Sequence, residues 1–194
     1  GLRKLCDQYQ TLLIFDEVQT GIGRTGKWFA AEHFGVQPDI ICMAKGIASG
    51  FPLGAIAASA EIMAKWSPGA HGSTFGGNPV CCAAAIATLD VIKKEKLLQN
   101  ATKLGTYMKS KLVGLQAKYP NLIKDVRGLG LMLGVDFGDS AVVKNILTFC
   151  LAKGLVLIST GGDGTVIRFV PPLIVKKQEI DQALKIFELA LKHV

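Results

Sequence analysis

Lys45 and Asp16 are the two side chains of this 194-residue chain whose types and settings suit covalent chemistry. Lys45 ends a short apolar run, Asp39-Ile-Ile-Cys-Met-Ala, and is followed by Gly46, Ile47, Ala48, Ser49 and Gly50. Only one other lysine, Lys65, occurs between Trp28 and Ile92. A lysine where an apolar strand runs into small residues is costly unless its amine is solvated, paired or covalently used. The plain alternative is a lysine snorkelling from a strand end. Upstream, Leu12-Leu13-Ile14-Phe15 runs into Asp16-Glu17-Val18-Gln19-Thr20-Gly21. Four apolar residues bounded by polar residues and glycines predict a strand buried on both faces of a parallel sheet. A carboxylate at the carboxyl end of such a strand stands where open α/β sheets bind ligands. Ala44-Lys45-Gly46 ends the next predicted strand in the same way, which makes Asp16 and Lys45 neighbours across one crevice. An amine there can condense with an aldehyde, and a carboxylate can keep a ring nitrogen protonated. Without Lys45, Asp16 reads equally well as a turn cap.

The glycine-rich stretch Gly21-Ile-Gly-Arg-Thr-Gly26-Lys27 fits the first seven positions of a nucleotide-binding phosphate loop, and an apolar strand ending in Asp-Glu resembles a magnesium-binding strand. The match then fails. Trp28 stands where a magnesium-holding hydroxyl is required, no apolar strand leads directly into Gly21, and the acidic strand precedes the loop instead of following it.

Four blocks carry a specific likeness: LLIFDEVQTGIGRTGKWFAAEHFGVQPDIICMAKGIASGFPLGAI (12–56), HGSTFGGNPV (71–80), DVRGLGLMLG (125–134) and VIRFVPPL (166–173). In this order and spacing the chain resembles the C-terminal half of a class III (omega) aminotransferase, in the branch of the 4-aminobutyrate and acetylornithine enzymes. The resemblance implies a fold type I enzyme that uses pyridoxal 5'-phosphate. It implies Lys45 as covalent anchor and proton carrier, Asp16 on the pyridine nitrogen, and Val18 and Gln19 at the ring face and phenolic oxygen. It implies Thr74 as a ligand of the neighbouring subunit's cofactor phosphate, hence a homodimer, and Arg168 as the dock for a substrate carboxylate. The expected activity moves an amino group from an amino acid, such as 4-aminobutyrate or acetylornithine, to a keto acid such as 2-oxoglutarate. Racemases and aminomutases of the family keep the same lysine and aspartate, and a non-catalytic remnant is a further alternative. The resemblance also implies that roughly the N-terminal half of the usual enzyme is absent.

Each of these residues has a plainer reading. Val18 and Gln19 could be turn residues, and the glycines around Thr74 could make a tight loop. Arg168 could lie on an edge strand facing water, although its planar fork suits a carboxylate. Arg127 reads as structural within the second half of the chain. Glu17 reads as structural, pairing with a backbone or basic group, and receives no chemistry; Arg24 matches a fixed family position with no derivable task.

The elements that must position these residues alternate along the chain. A helix is predicted to end over 2–9, with strands at 12–15, 39–44 and 54–59. Asn78-Pro79 predicts a capped helix start. A second helix spans 96–118 and stops before Tyr119-Pro120. Strands follow at Val126, 131–137, 156–158 and 166–170, with helices over 142–153 and 177–191. The last of these presents Ile180, Leu184, Phe187 and Leu191 on one face. The expected fold class is α/β: an incomplete fold type I large-domain sheet in residues 1–95, followed by a small α+β domain in 96–194.

Composition narrows the remaining classes. With 49% hydrophobic and 19% charged residues the chain is globular in type. No run of 18 apolar residues exists. The net charge of +7 is uneven: residues 1–92 carry 6 basic and 7 acidic groups, whereas 93–194 carry 16 and 8. The lysines are dispersed over helical segments without interleaved aromatics, which favours a solvated surface over nucleic-acid binding. Five cysteines without disulfide or metal spacing, and three scattered histidines, predict reduced thiols in a cytosolic protein with no metal centre.

Overall fold

The computed structural model describes all 194 residues, which divide into two compact units, Gly1–Leu98 and Gln99–Val194. The first unit opens with helix α1 (Leu2–Gln8), then strand β1 (Ile14–Asp16), the short helix α2 (Ala31–Phe34) and strand β2 (Ile40–Met43). A 3₁₀ turn over Lys45–Ala48 leads to β3 (Ala55–Ala58), the short helix α3 (Ala60–Met63) and the long helix α4 (Pro79–Lys94). The three strands form one sheet in sequence order, β1 parallel to β2 and β2 antiparallel to β3. Asn78 caps α4 by accepting the Cys81 N–H at 3.0 Å, directly before Pro79. Proline suits that first helical position, where its missing donor leaves no bond unmade.

The expectation of a strand buried on both faces is corrected here. β1 is the edge of its sheet, and Leu12 and Ile14 are 51% and 55% exposed. An apolar run reports what a strand could bury, whereas burial requires a second layer, and no element of this chain covers that surface. The 3₁₀ turn, α2 and α3 were not foreseen, because each is too short to show a helical period.

The second unit holds helix α5 (Leu97–Lys118, beginning two residues before the boundary), then β4 (Asp125–Leu129), β5 (Met132–Asp136), α6 (Ser140–Ala152), β6 (Ile158–Thr160), β7 (Val166–Phe169) and α7 (Lys177–Leu191). Its four strands make an antiparallel sheet in the order β4-β5-β7-β6. Most of the buried apolar side chains of the chain lie here, in one cluster built from α5, the sheet, α6 and α7. Phe187 of α7 is fully buried, edge-on to Phe169 at 5.0 Å and to Phe137 at 6.3 Å. Each such side chain stabilises the fold by about 1.5–3 kcal/mol through burial alone. The four apolar residues expected on one face of α7 are all buried. The strand expected at 156–158 instead begins at Ile158, two residues later.

Candidate active site

β1 and β2 run parallel, with Ile14 opposite Ile40 and Asp16 opposite Cys42. Both strands therefore end on the same side of the sheet, and Lys45 follows Cys42 by three residues, roughly 10 Å of extended chain. Asp16 and Lys45 thus stand at one carboxyl edge, each exposed. Asp16 Oδ1 accepts the Val18 N–H at 3.0 Å, so the turn-capping reading of this carboxylate is realised in the structure. That bond occupies one oxygen and orients the carboxyl group without consuming the other. The Lys45 side chain makes no hydrogen bond or ion pair, and the backbone there is left-handed, with φ of +49°. Only a few per cent of residues other than glycine adopt that region, and strained backbones gather at functional sites.

The loop between Asp16 and α2 is held from within. Glu17 is 1% exposed. Its Oε1 accepts the Ala31 N–H at 2.8 Å, and its Oε2 accepts the Ala30 N–H at 3.0 Å and the Thr20 hydroxyl. Its own N–H donates to the Cys42 carbonyl at 3.0 Å, and its carbonyl accepts from Gly21. Gly21 must be glycine: a Cβ there would meet the Glu17 carbonyl oxygen at 2.7 Å. Farther on, His33 Nε2 bonds the carbonyl and the hydroxyl of the buried Thr25, each at 3.1 Å. Burial pulls the Arg24 guanidinium below its ordinary range. The expectation that Glu17 is structural and pairs with backbone or a basic group is met by the backbone N–H groups of Ala30 and Ala31.

Val18 and Gln19 are half-buried in the turn that follows Asp16. Thr74 lies in the exposed loop before α4, where the Ser73 hydroxyl accepts the Gly76 N–H at 2.9 Å. Asp16, with Val18 and Gln19 in the turn after it, and Lys45 follow the carboxyl ends of two paired parallel strands, whereas Thr74 lies on a separate loop.

Arg168 belongs to the second unit. It sits in β7, between β5 and β6, opposite Gly134 on one side and Ile158 on the other. It is therefore on an interior strand, which removes the edge-strand reading. The side chain is half-buried and its Nε is fully buried without a hydrogen-bond partner. A cavity of about 420 Å³ adjoins it, walled chiefly by Met108, Leu157, Phe169, Pro171 and Ile180. A guanidinium on the wall of a largely apolar cavity, which Glu179 also lines, suits through its terminal nitrogens a small anion that carries a hydrocarbon chain, the Nε having no accessible surface to offer. Arg127 lies on the surface of the same unit, pairing with Asp125 of its own strand at 2.7 Å and joining β4 to β5 through Asp136 at 3.2 Å. All five cysteines are free thiols, and no helix is long and apolar enough to cross a membrane.

Residues 1–191 match the family model described as aminotransferase class-III. Acetylornithine aminotransferase of Caldanaerobacter subterraneus is 49% identical over 196 residues, covering 100% of this chain and 48% of that protein. A crystal structure of an aminotransferase from Bacillus anthracis superimposes with a TM-score of 0.93 at 32% identity, covering 100% of this chain and 47% of that one. Acetylornithine aminotransferase from Elizabethkingia anophelis gives a TM-score of 0.89 at 40% identity, covering 98% and 50%. The chain thus spans about half the length of the relatives it matches.

Proposed function

The chain belongs to the class III aminotransferases, a family whose cofactor is pyridoxal 5'-phosphate, and from that membership we propose that it carries the lysine-and-aspartate part of a transaminase site. The observation that supports this best is the shared carboxyl edge of β1 and β2, with Asp16 on one strand and Lys45 just beyond the other. The donor set fits the cofactor: an unpaired primary amine for its aldehyde and a carboxylate for its pyridine nitrogen. When bound, the cofactor supplies a carbonyl carbon for an amine and a ring that takes up electrons.

The chain's own residues then have separable tasks. Lys45 anchors the cofactor through Nζ and, once released, moves a proton with the same atom. Asp16, fixed by the Val18 N–H, keeps a positive charge on the ring nitrogen. Val18 and Gln19 border the ring, and Thr74, on an exposed loop, reaches the cofactor phosphate of a second copy in a homodimer. Arg168 receives the substrate carboxylate, and the apolar wall beside it accommodates the carbon chain. In this reading residues 1–95 are the C-terminal part of a cofactor-binding large domain and residues 96–194 a small domain. The amino donor is acetylornithine or a similar amino acid such as 4-aminobutyrate, the acceptor a keto acid such as 2-oxoglutarate, and the setting the cytoplasm. The names of the relatives favour acetylornithine.

Borohydride reduction in the presence of pyridoxal phosphate, followed by peptide mapping, is expected to place the label on Lys45. Label on Lys27 or Lys65 instead would defeat the assignment. Arg168→Lys is expected to lower kcat/KM for a carboxylate substrate by about 10–100-fold, the worth of a charge-assisted bond. The decarboxylated analogue should lose much less. Equal losses would make Arg168 a support of the fold.

A further inference from the structure

Lys45 is the first central residue of a turn closed by the Ile47 N–H on the Ala44 carbonyl at 3.2 Å, and its left-handed angle belongs to that turn. Its side chain makes no hydrogen bond or ion pair. What lies beneath the turn is the loop from Glu17. Ile22 is 5% exposed and itself left-handed, with φ of +54°. For a β-branched residue this is a marked outlier. A Cβ added at Gly46 would lie 3.6 Å from Ile22 Cβ and 3.9 Å from its Cγ2. The Ile22 side chain therefore lies beneath the turn that carries Lys45, at ordinary contact distance from a methyl group that Gly46 lacks.

A buried, β-branched residue held left-handed beneath that turn needs an outside constraint. Glu17 provides it. Its backbone N–H is bonded to β2 at Cys42, its carboxylate grips the N–H groups of Ala30 and Ala31 and the hydroxyl of Thr20, and its carbonyl takes Gly21, next to Ile22. A carboxylate 1% exposed with every contact a donor is expensive to desolvate, and those three donors are what make it tolerable. It closes the loop from Glu17 to Ala31 upon itself and leaves Ile22 one place to go. On the far side of the turn, the Ser49 hydroxyl meets that of Thr88 on α4 at 3.0 Å, so the segment after Lys45 is pinned at its other end.

We propose that Glu17 and Ile22 are positioning residues for Lys45: the Glu17 clasp fixes the loop, and the loop keeps Ile22 beneath Gly46 as a support for the turn that carries the lysine. This rests on the reading of Lys45 as the cofactor anchor. Glu17→Gln replaces one acceptor oxygen by an NH₂ facing a donor, so the clasp opens although the shape is kept. Ile22→Ala leaves the clasp whole and removes the support.

The test compares wild type, Glu17→Gln and Ile22→Ala by two readouts. Hydrogen exchange of the amides in 45–48, including Ile47 N–H bonded to the Ala44 carbonyl, is expected to quicken by about tenfold in both variants. Exchange in β5 and β7 should stay as in wild type, which separates a local loosening from loss of the fold. Reductive capture of pyridoxal phosphate is expected to slow at Lys45 by a similar factor and to be spread towards Lys27 and Lys65. If Glu17→Gln does not fold, Ile22→Ala decides alone. Wild type labelled at Lys45, with folded variants that exchange and label identically, overturns the buttress and leaves the anchor standing. Wild type labelled elsewhere overturns the anchor, and exchange in 45–48 then judges the buttress by itself.

Discussion

Two glycines of helix α5 should respond to the same substitution with opposite sign. Gly105 is buried, and a Cβ there would stand 2.1 Å from the carbonyl oxygen of Gly130 and 2.3 Å from its carbon, in the turn between β4 and β5. Gly114 is exposed, with nothing within 4 Å of its would-be Cβ. In a helix interior, alanine is favoured over glycine by about 0.8–1.0 kcal/mol. Gly114→Ala collects that gain without cost, so Tm should rise by roughly 4–8 °C for a domain near 100 residues. Gly105→Ala collects it too, but ordinary contact begins near 3.4 Å, so helix and turn must part by about 1.3 Å. The obstacle is backbone, which cannot swing aside as a side chain would. Overpacking of this kind costs about 1–3 kcal/mol and at times more. The upper end applies here, for a net loss of about 2 kcal/mol and a gap of about 3 kcal/mol between the variants. Urea unfolding by circular dichroism, with hydrogen exchange on Val135 and Ile167 as the local reporter, measures both. Gly105→Ala melting at or above wild type would refute the direct helix–turn contact. Gly114→Ala failing to stabilise would refute the propensity term.

Two further outcomes follow from ionisable groups. The Cys150 thiol is fully buried, and burial pushes its pKa to about 11. Its thiolate fraction at pH 8 is then roughly 1 in 1,000, so iodoacetamide should modify it at least about 100-fold more slowly than Cys42 or Cys82, and similar rates would show that α6 opens readily. Asp39 is held below the usual carboxylate range first by its hydrogen bond from Arg3 and then by the Leu13 N–H, at 2.7 and 2.6 Å. A depressed folded pKa means that its contribution is present above about pH 4 and is lost as pH falls through the lower folded value. The Leu13 amide shift should titrate with a midpoint below about 4, and a midpoint at or above that value would contradict the contact.

Elements whose limits are local were legible in the sequence. Helix α7 runs from Lys177 to Leu191 as its apolar period requires, α4 starts at the Asn78-Pro79 signal, and α5 stops before Tyr119-Pro120. Asp16 and Lys45 were legible as strand-end residues because each closes an apolar run. The exposed edge of β1 was not, since nothing in Leu12–Phe15 tells whether a second layer lies over it. Glu17 was legible as a structural residue but its partners were not, because Ala30 and Ala31 lie 13 and 14 residues away and offer backbone groups without a side-chain signature. The left-handed angles of Ile22 and Lys45 were equally silent, since residue type argues against both.

The two candidate binding elements are held by different physics. Arg168 rides on an interior strand whose neighbours Ile167 and Phe169 are buried in the main cluster. Its position is set by packing, which is cooperative and tolerant of small changes in pH or salt. Lys45 lies in a unit with few buried apolar side chains and an uncovered β1 edge. Its backbone and that of Ile22 each cost on the order of 1–3 kcal/mol in strain. With little packing to oppose that strain, directional bonds must do so. Hydrogen bonds to a charged group contribute about 1.5–3 kcal/mol each, and the Glu17 carboxylate makes three of them. The magnitudes match in kind: the clasp can hold Ile22 beneath the turn of Lys45, and losing even one of its bonds leaves a surplus of strain. A reactive amine held in this way is sensitive to single polar substitutions distant in sequence. A docking guanidinium held by a core responds instead to changes of volume.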